Sequence, residues 1–257
     1  MTYSELMRIF AAIVFALLTV ANAASAAPPS EWYQWRGPSR DGKLPGSAEW
    51  PDSVETDKLV KEWSKSLAEG SSSPVLSKDY VFTVETKDKE DEITRAFDRK
   101  TGEQVWGRNI LKEFGGSNIT WALAESVVVD GDQVICSPFG SKASVVALSK
   151  LTGETVWAAE STGDKAGYGT PALAEFAGIR MVLTMSAKAL VGVNADTGAL
   201  LWHVKHVSYA DENVMTPIFH DGHVFLSTLA AGSVKWKLNV DGETATLEEV
   251  WRTYQID

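Results

Sequence analysis

The chain has one cysteine, Cys136, so no intrachain disulfide can form and packing must hold the fold together. Cys136 closes the strand-like run Gln133-Val134-Ile135-Cys136, which predicts a buried packing thiol and not a reactive one. Long apolar runs are also scarce. The one present, Ile9 to Val20, follows Arg8 and precedes Ala21-Asn22-Ala23-Ala24-Ser25-Ala26. A basic residue, about a dozen apolar residues and a small-residue stretch have the layout of a secretory signal peptide. Spanning a bilayer takes about 20 apolar residues. We therefore expect residues 1–26 to be a cleaved signal peptide, with a mature chain that has no transmembrane segment and is periplasmic or extracellular.

Positive charge is in deficit, with 24 Lys and Arg against 34 Asp and Glu, a net charge of −10. Such a surface repels phosphate backbones, which argues against a nucleic-acid partner. Beyond Val20 no window keeps a 3.6-residue apolar period, so an α-helical domain is not expected. Gly-x-Ser-x-Gly, a phosphate-cradling loop and His-Glu-x-x-His are all missing. The four histidines come as His203/His206 and His220/His223, a spacing that suggests zinc on paper. On a strand, however, positions three apart face opposite ways, and the second pair straddles Asp221-Gly222. Solvated or edge histidines are the expectation. Asp130-Gly131-Asp132 has the look of a calcium loop but lies at a hairpin turn without the remaining ligands.

What the sequence does have is a repeat. Ala96-Phe97-Asp98-Arg99-Lys100-Thr101-Gly102-Glu103-Gln104-Val105-Trp106 aligns without gaps with the segment ending Thr152-Gly153-Glu154-Thr155-Val156-Trp157. Both align with the segment ending Thr197-Gly198-Ala199-Leu200-Leu201-Trp202. A looser copy runs from Lys237 through Asp241-Gly242 to Trp251, and Trp63 stands where a preceding unit would end. The tryptophans are 43, 51, 45 and 49 residues apart. Asp98, Ser149 and Asn194 are short polar side chains suited to starting a turn, and Gly102, Gly153 and Gly198 to completing it. An indole buries some 150–250 Å², so the recurring tryptophan is expected to dock one repeat onto the next.

Ser73-Pro74, Thr170-Pro171 and Thr216-Pro217, with Ser126-Val127 in the remaining unit, open runs of β-forming residues separated by turns at Lys78-Asp79, Asp130-Gly131 and Asp221-Gly222. Four short strands per repeat at this period predict an all-β propeller of four-stranded antiparallel blades. About four blades are present, ending near Trp106, Trp157, Trp202 and Trp251. Residues 27–62 read as an N-terminal belt segment and 63–257 as the repeats. Two longer stretches are expected to be loops: the charged run Glu85 to Glu92 as a solvated hairpin tip, and Arg108 to Thr120, whose length accounts for the 51-residue spacing.

The Thr-Gly…Trp pattern resembles the repeat of the pyrroloquinoline-quinone-like β-propellers, a superfamily that includes quinoprotein dehydrogenases and the propeller lipoprotein of the outer-membrane barrel assembly machinery. Tyr33-Gln34-Trp35-Arg36-Gly37-Pro38-Ser39-Arg40-Asp41-Gly42 resembles the N-terminal signature of exported propellers of this type in planctomycete-like bacteria. The resemblance implies a ring of seven or eight blades, so about four units predict a partial or truncated ring, with a compact four-blade ring as the alternative. For quinone enzymes it further implies a vicinal cysteine disulfide, a calcium ion and a catalytic aspartate, and the lone Cys136 excludes the disulfide.

No catalytic, cofactor-binding or metal-binding residue is assigned, and no cofactor. The sequence favours a non-catalytic exported propeller acting as a protein-interaction scaffold in the cell envelope. A carbohydrate- or small-ligand-binding propeller, with Trp121, Trp236 or Tyr168 stacking on sugar rings, is the alternative. A quinone-dependent dehydrogenase comes third. Arg36, Arg40 and Asp41 are either functional or part of a segment that secures the propeller edge.

Overall fold

A computed structural model describes residues 31–43 and 60–254. The expected signal peptide and much of the belt segment lie outside those residues. Among the described residues no helix is long and apolar enough to cross a membrane.

The described strands form four four-stranded antiparallel sheets in chain order. The first holds β1 (Val75–Leu76), β2 (Tyr80–Lys87), β3 (Asp91–Asp98) and β4 (Gln104–Asn109). The second holds β5 (Val128–Asp130), β6 (Gln133–Cys136), β7 (Val146–Ser149) and β8 (Thr155–Ala158). The third holds β9 (Ala172–Phe176), β10 (Ile179–Met185), β11 (Ala189–Asn194) and β12 (Leu200–Lys205). The fourth holds β13 (Ile218–His220), β14 (His223–Thr228), β15 (Gly232–Asp241) and β16 (Thr244–Thr253). These are propeller blades in an open, unclosed array. The prolines sit just ahead of β1, β9 and β13, where a missing N–H costs no ladder bond.

The apolar cores lie between blades. One joins Phe82, Trp106 and Val75 of the first blade to Val134, Cys136 and Leu148 of the second. Another joins Ile135 and Trp157 to Val182, Val191 and Val193 of the third, and the next joins Met181 and Leu190 to Val224, Leu226 and Trp236 of the fourth. Middle strands buried on both faces explain why β6 and β10 read as continuous apolar runs and not as alternation.

The repeat motif is the clasp between blades. Asp98 Oδ1 accepts the N–H groups of Lys100 and Thr101, and Asn194 Oδ1 those of Asp196 and Thr197, which fixes each turn. The glycine beside each turn presents a bare backbone to the indole of the preceding blade. A Cβ on Gly102 would lie 2.6 Å from the Trp63 ring, on Gly153 2.8 Å from Trp106, and on Gly198 2.8 Å from Trp157. Each indole N–H then donates into that same turn: Trp63 to Arg99 O (2.8 Å), Trp106 to Lys150 O (3.0 Å) and Trp157 to Ala195 O (3.0 Å). Gly153 also has a φ of +74°, so Gly153→Ala adds a strained backbone to the collision with Trp106. We expect it to cost about 2 kcal/mol or more, against about 1 kcal/mol for Gly131→Ala. A Cβ there would meet nothing within 4 Å. Paired urea melts check this.

The fourth copy departs from the pattern. Gly242 is the tip of a hairpin joining two ten-residue strands, and nothing lies within 4 Å of where its Cβ would be. Trp202 packs against its cross-strand partner Gly192, and its buried indole N–H is unpartnered. The looseness of that copy in sequence is the loss of this docking turn.

Two loop expectations need correction. The tip of the β2–β3 hairpin is only residues 88–90; Glu85 and Glu92 are buried within the strands. The stretch after Arg108 contains a short helix, α1 (Ile110–Phe114), capped by Asn109, whose Oδ1 accepts from Lys112 N (3.0 Å). Ile110, Leu111 and Phe114 bury one face of it, so five residues are enough to hold a turn that a periodicity search misses.

Candidate functional site

The first strand of every blade is a sheet edge, its inner edge, and the segments leading into β1, β5, β9 and β13 line one cleft. The hydroxyl residue ahead of each strand, noticed in the sequence only for the proline beside it, links neighbouring blades. Ser73 N–H donates to Ser126 Oγ (2.9 Å), and Ser126 N–H donates to Thr170 Oγ1 (3.1 Å). The recurrence of Ser or Thr at these positions was the available signal. The Gly-rich run from Gly163 to Gly169 is an inter-strand loop between β8 and β9. Its glycines allow close approach: a Cβ on Gly167 or Gly169 would be 2.7 Å from Met185 O or Met215 O.

Residues 31–43 run across the inner edges. Trp32 exchanges both backbone hydrogen bonds with Leu76 of β1 (2.9 and 2.8 Å), and Tyr33 O accepts from Val129 N of β5 (2.8 Å). The chain then coils tightly. Arg36, Gly37, Arg40 and Gly42 all have positive φ, and Gln34 Nε2 donates to Pro38 O (2.9 Å). Arg40 completes the crossing, donating from Nε to Gln34 Oε1 (3.0 Å) and from a terminal nitrogen to Pro171 O (2.7 Å), just ahead of β9. Burial lowers its pKa to about 10. Arg36 lies over the Trp35 ring, 5.5 Å from its centroid. Asp41, grouped with these arginines in the sequence, turns away and accepts from Lys43 N (2.9 Å).

Between this coil and the inner edges is a cleft of about 910 Å³. Hydroxyls of Ser71, Ser73, Ser126, Thr170 and Thr216 line it, with Trp35, Tyr168 and Phe219, the aliphatic Leu173, Val214 and Ile218, and both Arg36 and Arg40. Of the aromatics expected to be available for stacking, only Tyr168 is here. Trp236 is core, at 2% exposure, while Trp121 is 70% exposed and outside the lining. Trp35, 40% exposed, joins Tyr168.

The other candidates disperse. His203 Nε2 meets Asp164 (2.7 Å) at the surface, and His220 pairs across the hairpin with His223. His206 is not solvated, contrary to expectation. It is buried against Trp236 with Nε2 2.7 Å from Thr228 Oγ1, and burial pushes its pKa down to about 4. Among the described residues no three His, Cys, Asp or Glu side chains converge as a metal site. Asp130 is ion-paired with Arg180, and Asp132 with Lys150 (3.0 Å).

Sequence reasoning missed three buried acids: Glu85, which Arg95 pairs, and two without a cationic partner among the described residues. Glu92 accepts from Thr86 Oγ1 (2.9 Å), and Glu125 from the backbone N–H of Ser137 (2.7 Å). Burial pushes the pKa of each up to about 7. Cys136 lies beside them, fully buried, its Sγ 3.6 Å from Thr94 Oγ1, with burial pushing the thiol pKa up. That is the inert packing thiol the sequence predicts.

The lining does not fit a calcium-bound quinone. Calcium takes six to eight oxygen ligands drawn largely from carboxylates, and no described residue of the cleft is a carboxylate. Cys136 is buried and does not line the cleft.

A family model described as outer membrane protein assembly factor BamB matches residues 47–256. No curated protein matches the chain significantly. Among solved structures, the quinohemoprotein alcohol dehydrogenase from Comamonas testosteroni is similar at 15% identity and a TM-score of 0.55, covering 83% of this chain and 36% of that one. A europium-containing methanol dehydrogenase is 12% identical with a TM-score of 0.48, covering 66% of this chain and 46% of that one. The chain thus spans less than half the length of these enzymes, and at 15% identity the likeness to the alcohol dehydrogenase shows the fold alone.

Proposed function

The chain belongs to the family of the outer membrane protein assembly factor BamB, and on that premise we propose that it is a non-catalytic, exported propeller that binds protein partners in the cell envelope. The lining of the axial cleft carries this reading: hydroxyls, aromatic and aliphatic side chains and two arginines, with no carboxylate, imidazole or thiol among its described residues. Such a surface offers shape, apolar contact and hydrogen-bond donors, the components of a recognition site. The family supports an envelope location and protein partners. Tyr168 and Trp35 at one cleft favour a second reading, a carbohydrate stacked on the rings.

A photo-crosslinking amino acid placed at Ile218, half-exposed in the lining, tests the proposal in cells making the full chain. We expect a discrete adduct with an envelope protein, absent when the probe is placed at Lys100 on a remote turn. Dye-linked alcohol oxidation by the purified chain supplied with pyrroloquinoline quinone and calcium would overturn the non-catalytic reading. A glycan array signal without any protein adduct would move it to carbohydrate.

A further inference from the structure

We propose that the axial cleft binds an acidic peptide segment, laid in extended form along the inner edges of β9 and β13, with a carboxylate held by Arg40 and Arg36. The inference rests on the protein-binding reading and names the chemistry of the partner.

The inner edges already accept a strand. The protein's own residues Trp32 and Tyr33 take backbone hydrogen bonds from β1 and β5. The matching edges of β9 and β13 are the free ends of their sheets, and Ala172, Leu173, Ile218 and Phe219 from them line the cleft. An extended peptide adds backbone bonds to such an edge and directs alternate side chains to one face.

Charge selects the acidic peptide. The described acceptors of Arg40 are neutral, the Gln34 amide and the Pro171 carbonyl, and among the described residues no carboxylate pairs with it. A cation taken partly out of water without a counter-ion is costly, so an arriving carboxylate gains more here than at a solvated arginine. The planar guanidinium can bind a carboxylate through two parallel N–H groups. Arg36 shares the lining, so a chain of net charge −10 carries two cations and no described anion at this one concavity. Both arginines sit at left-handed φ, 62° and 56°. The backbone cost of that conformation is sustained by the coil that aims them.

Fluorescence anisotropy of the full chain tests this, with a labelled short peptide of alternating Glu and Val against the same peptide carrying Gln or Lys in place of Glu. We expect the Glu peptide to bind about ten-fold or more tightly than the Gln peptide, the Lys peptide not to bind, and added salt to weaken binding. Arg40→Gln should lose about ten-fold in affinity. Arg40 also ties the coil to Pro171, so Arg36→Gln, an exposed side chain, is the safeguard against misfolding and should lose about three-fold or more. Equal binding of Glu and Gln peptides, or unchanged binding by Arg36→Gln, overturns the inference. So does oligogalacturonate binding as tightly as the Glu peptide, because it carries the charge without a backbone to pair. Failure of the Glu peptide while the Ile218 probe still captures an envelope protein removes this inference alone. Failure of both removes the protein-binding reading as well.

Discussion

Trp157→Ala is expected to destabilise the protein by about 3–5 kcal/mol, the range for emptying a buried aromatic site. Trp157 is buried in the core between the second and third blades, its ring lies against Gly198, and its N–H donates to Ala195 O (3.0 Å). Truncation therefore removes apolar contact, leaves a cavity that rigid flanking sheets close poorly, and orphans a carbonyl. The same change at Trp251 provides the contrast. That residue opens no clasp and is 42% exposed, so Trp251→Ala should cost no more than about 1 kcal/mol. Because blades are coupled mainly to their neighbours, the Trp157→Ala melt should also broaden or split as the third and fourth blades uncouple from the first two. Urea unfolding followed by tryptophan fluorescence and by far-ultraviolet circular dichroism checks both. Equal, small losses for the two variants would refute the clasp.

Stability should fall as pH rises from about 4.5 to about 7, then level off. Glu92 and Glu125 carry folded-state pKa values of about 7 because burial disfavours their charged forms. The folded state therefore binds more protons than the unfolded chain across that window, and the stability they contribute is lost as pH passes the folded pKa. His206 acts in the opposite sense: its pKa of about 4 makes its contribution present above about 6.5 and lost on acidification. Below about pH 6.5 two acids against one histidine leave a net slope of about one proton, on the order of −1 kcal/mol per pH unit. Glu125→Gln keeps an oxygen to accept the Ser137 N–H and removes the charge. It should flatten the slope to near zero and exceed the wild type at about pH 8 by up to about 3 kcal/mol, with little difference near pH 5. Thermal melts across this range measure it, and a variant whose curve parallels the wild type would show that Glu125 is already neutral or solvated.

Both results turn on features of different legibility. The docking tryptophans, their Thr-Gly turns and the four-strand period were plain in the sequence, because each repeat must solve the same local problem with the same residues. Even the weak fourth copy was informative: the missing turn near Trp251 is why Trp202 has no carbonyl for its indole N–H. Glu125 was invisible by contrast, since a single glutamate ahead of a strand gives no sign of burial. Glu85 and Glu92 misled more actively. A dense charge run reads as solvent-exposed, yet pleating turns their side chains inward, where Arg95 and Thr86 receive them.

The axial cleft lies at the far end of that scale. Arg36 and Arg40 stood out in the sequence as part of a signature, but their distance along the chain from Thr170 and Ile218 concealed that all of them line one concavity. By itself the sequence determined the blade, the number of blades present and the tryptophan that locks the first blade to the second and the second to the third. Those follow from interactions that repeat at a fixed spacing, and periodicity survives in one dimension. Which edges converge, which acids lose their water and which arginine lacks a counter-ion were decided only in the tertiary structure. Burial and charge compensation depend on neighbours brought together from distant parts of the chain.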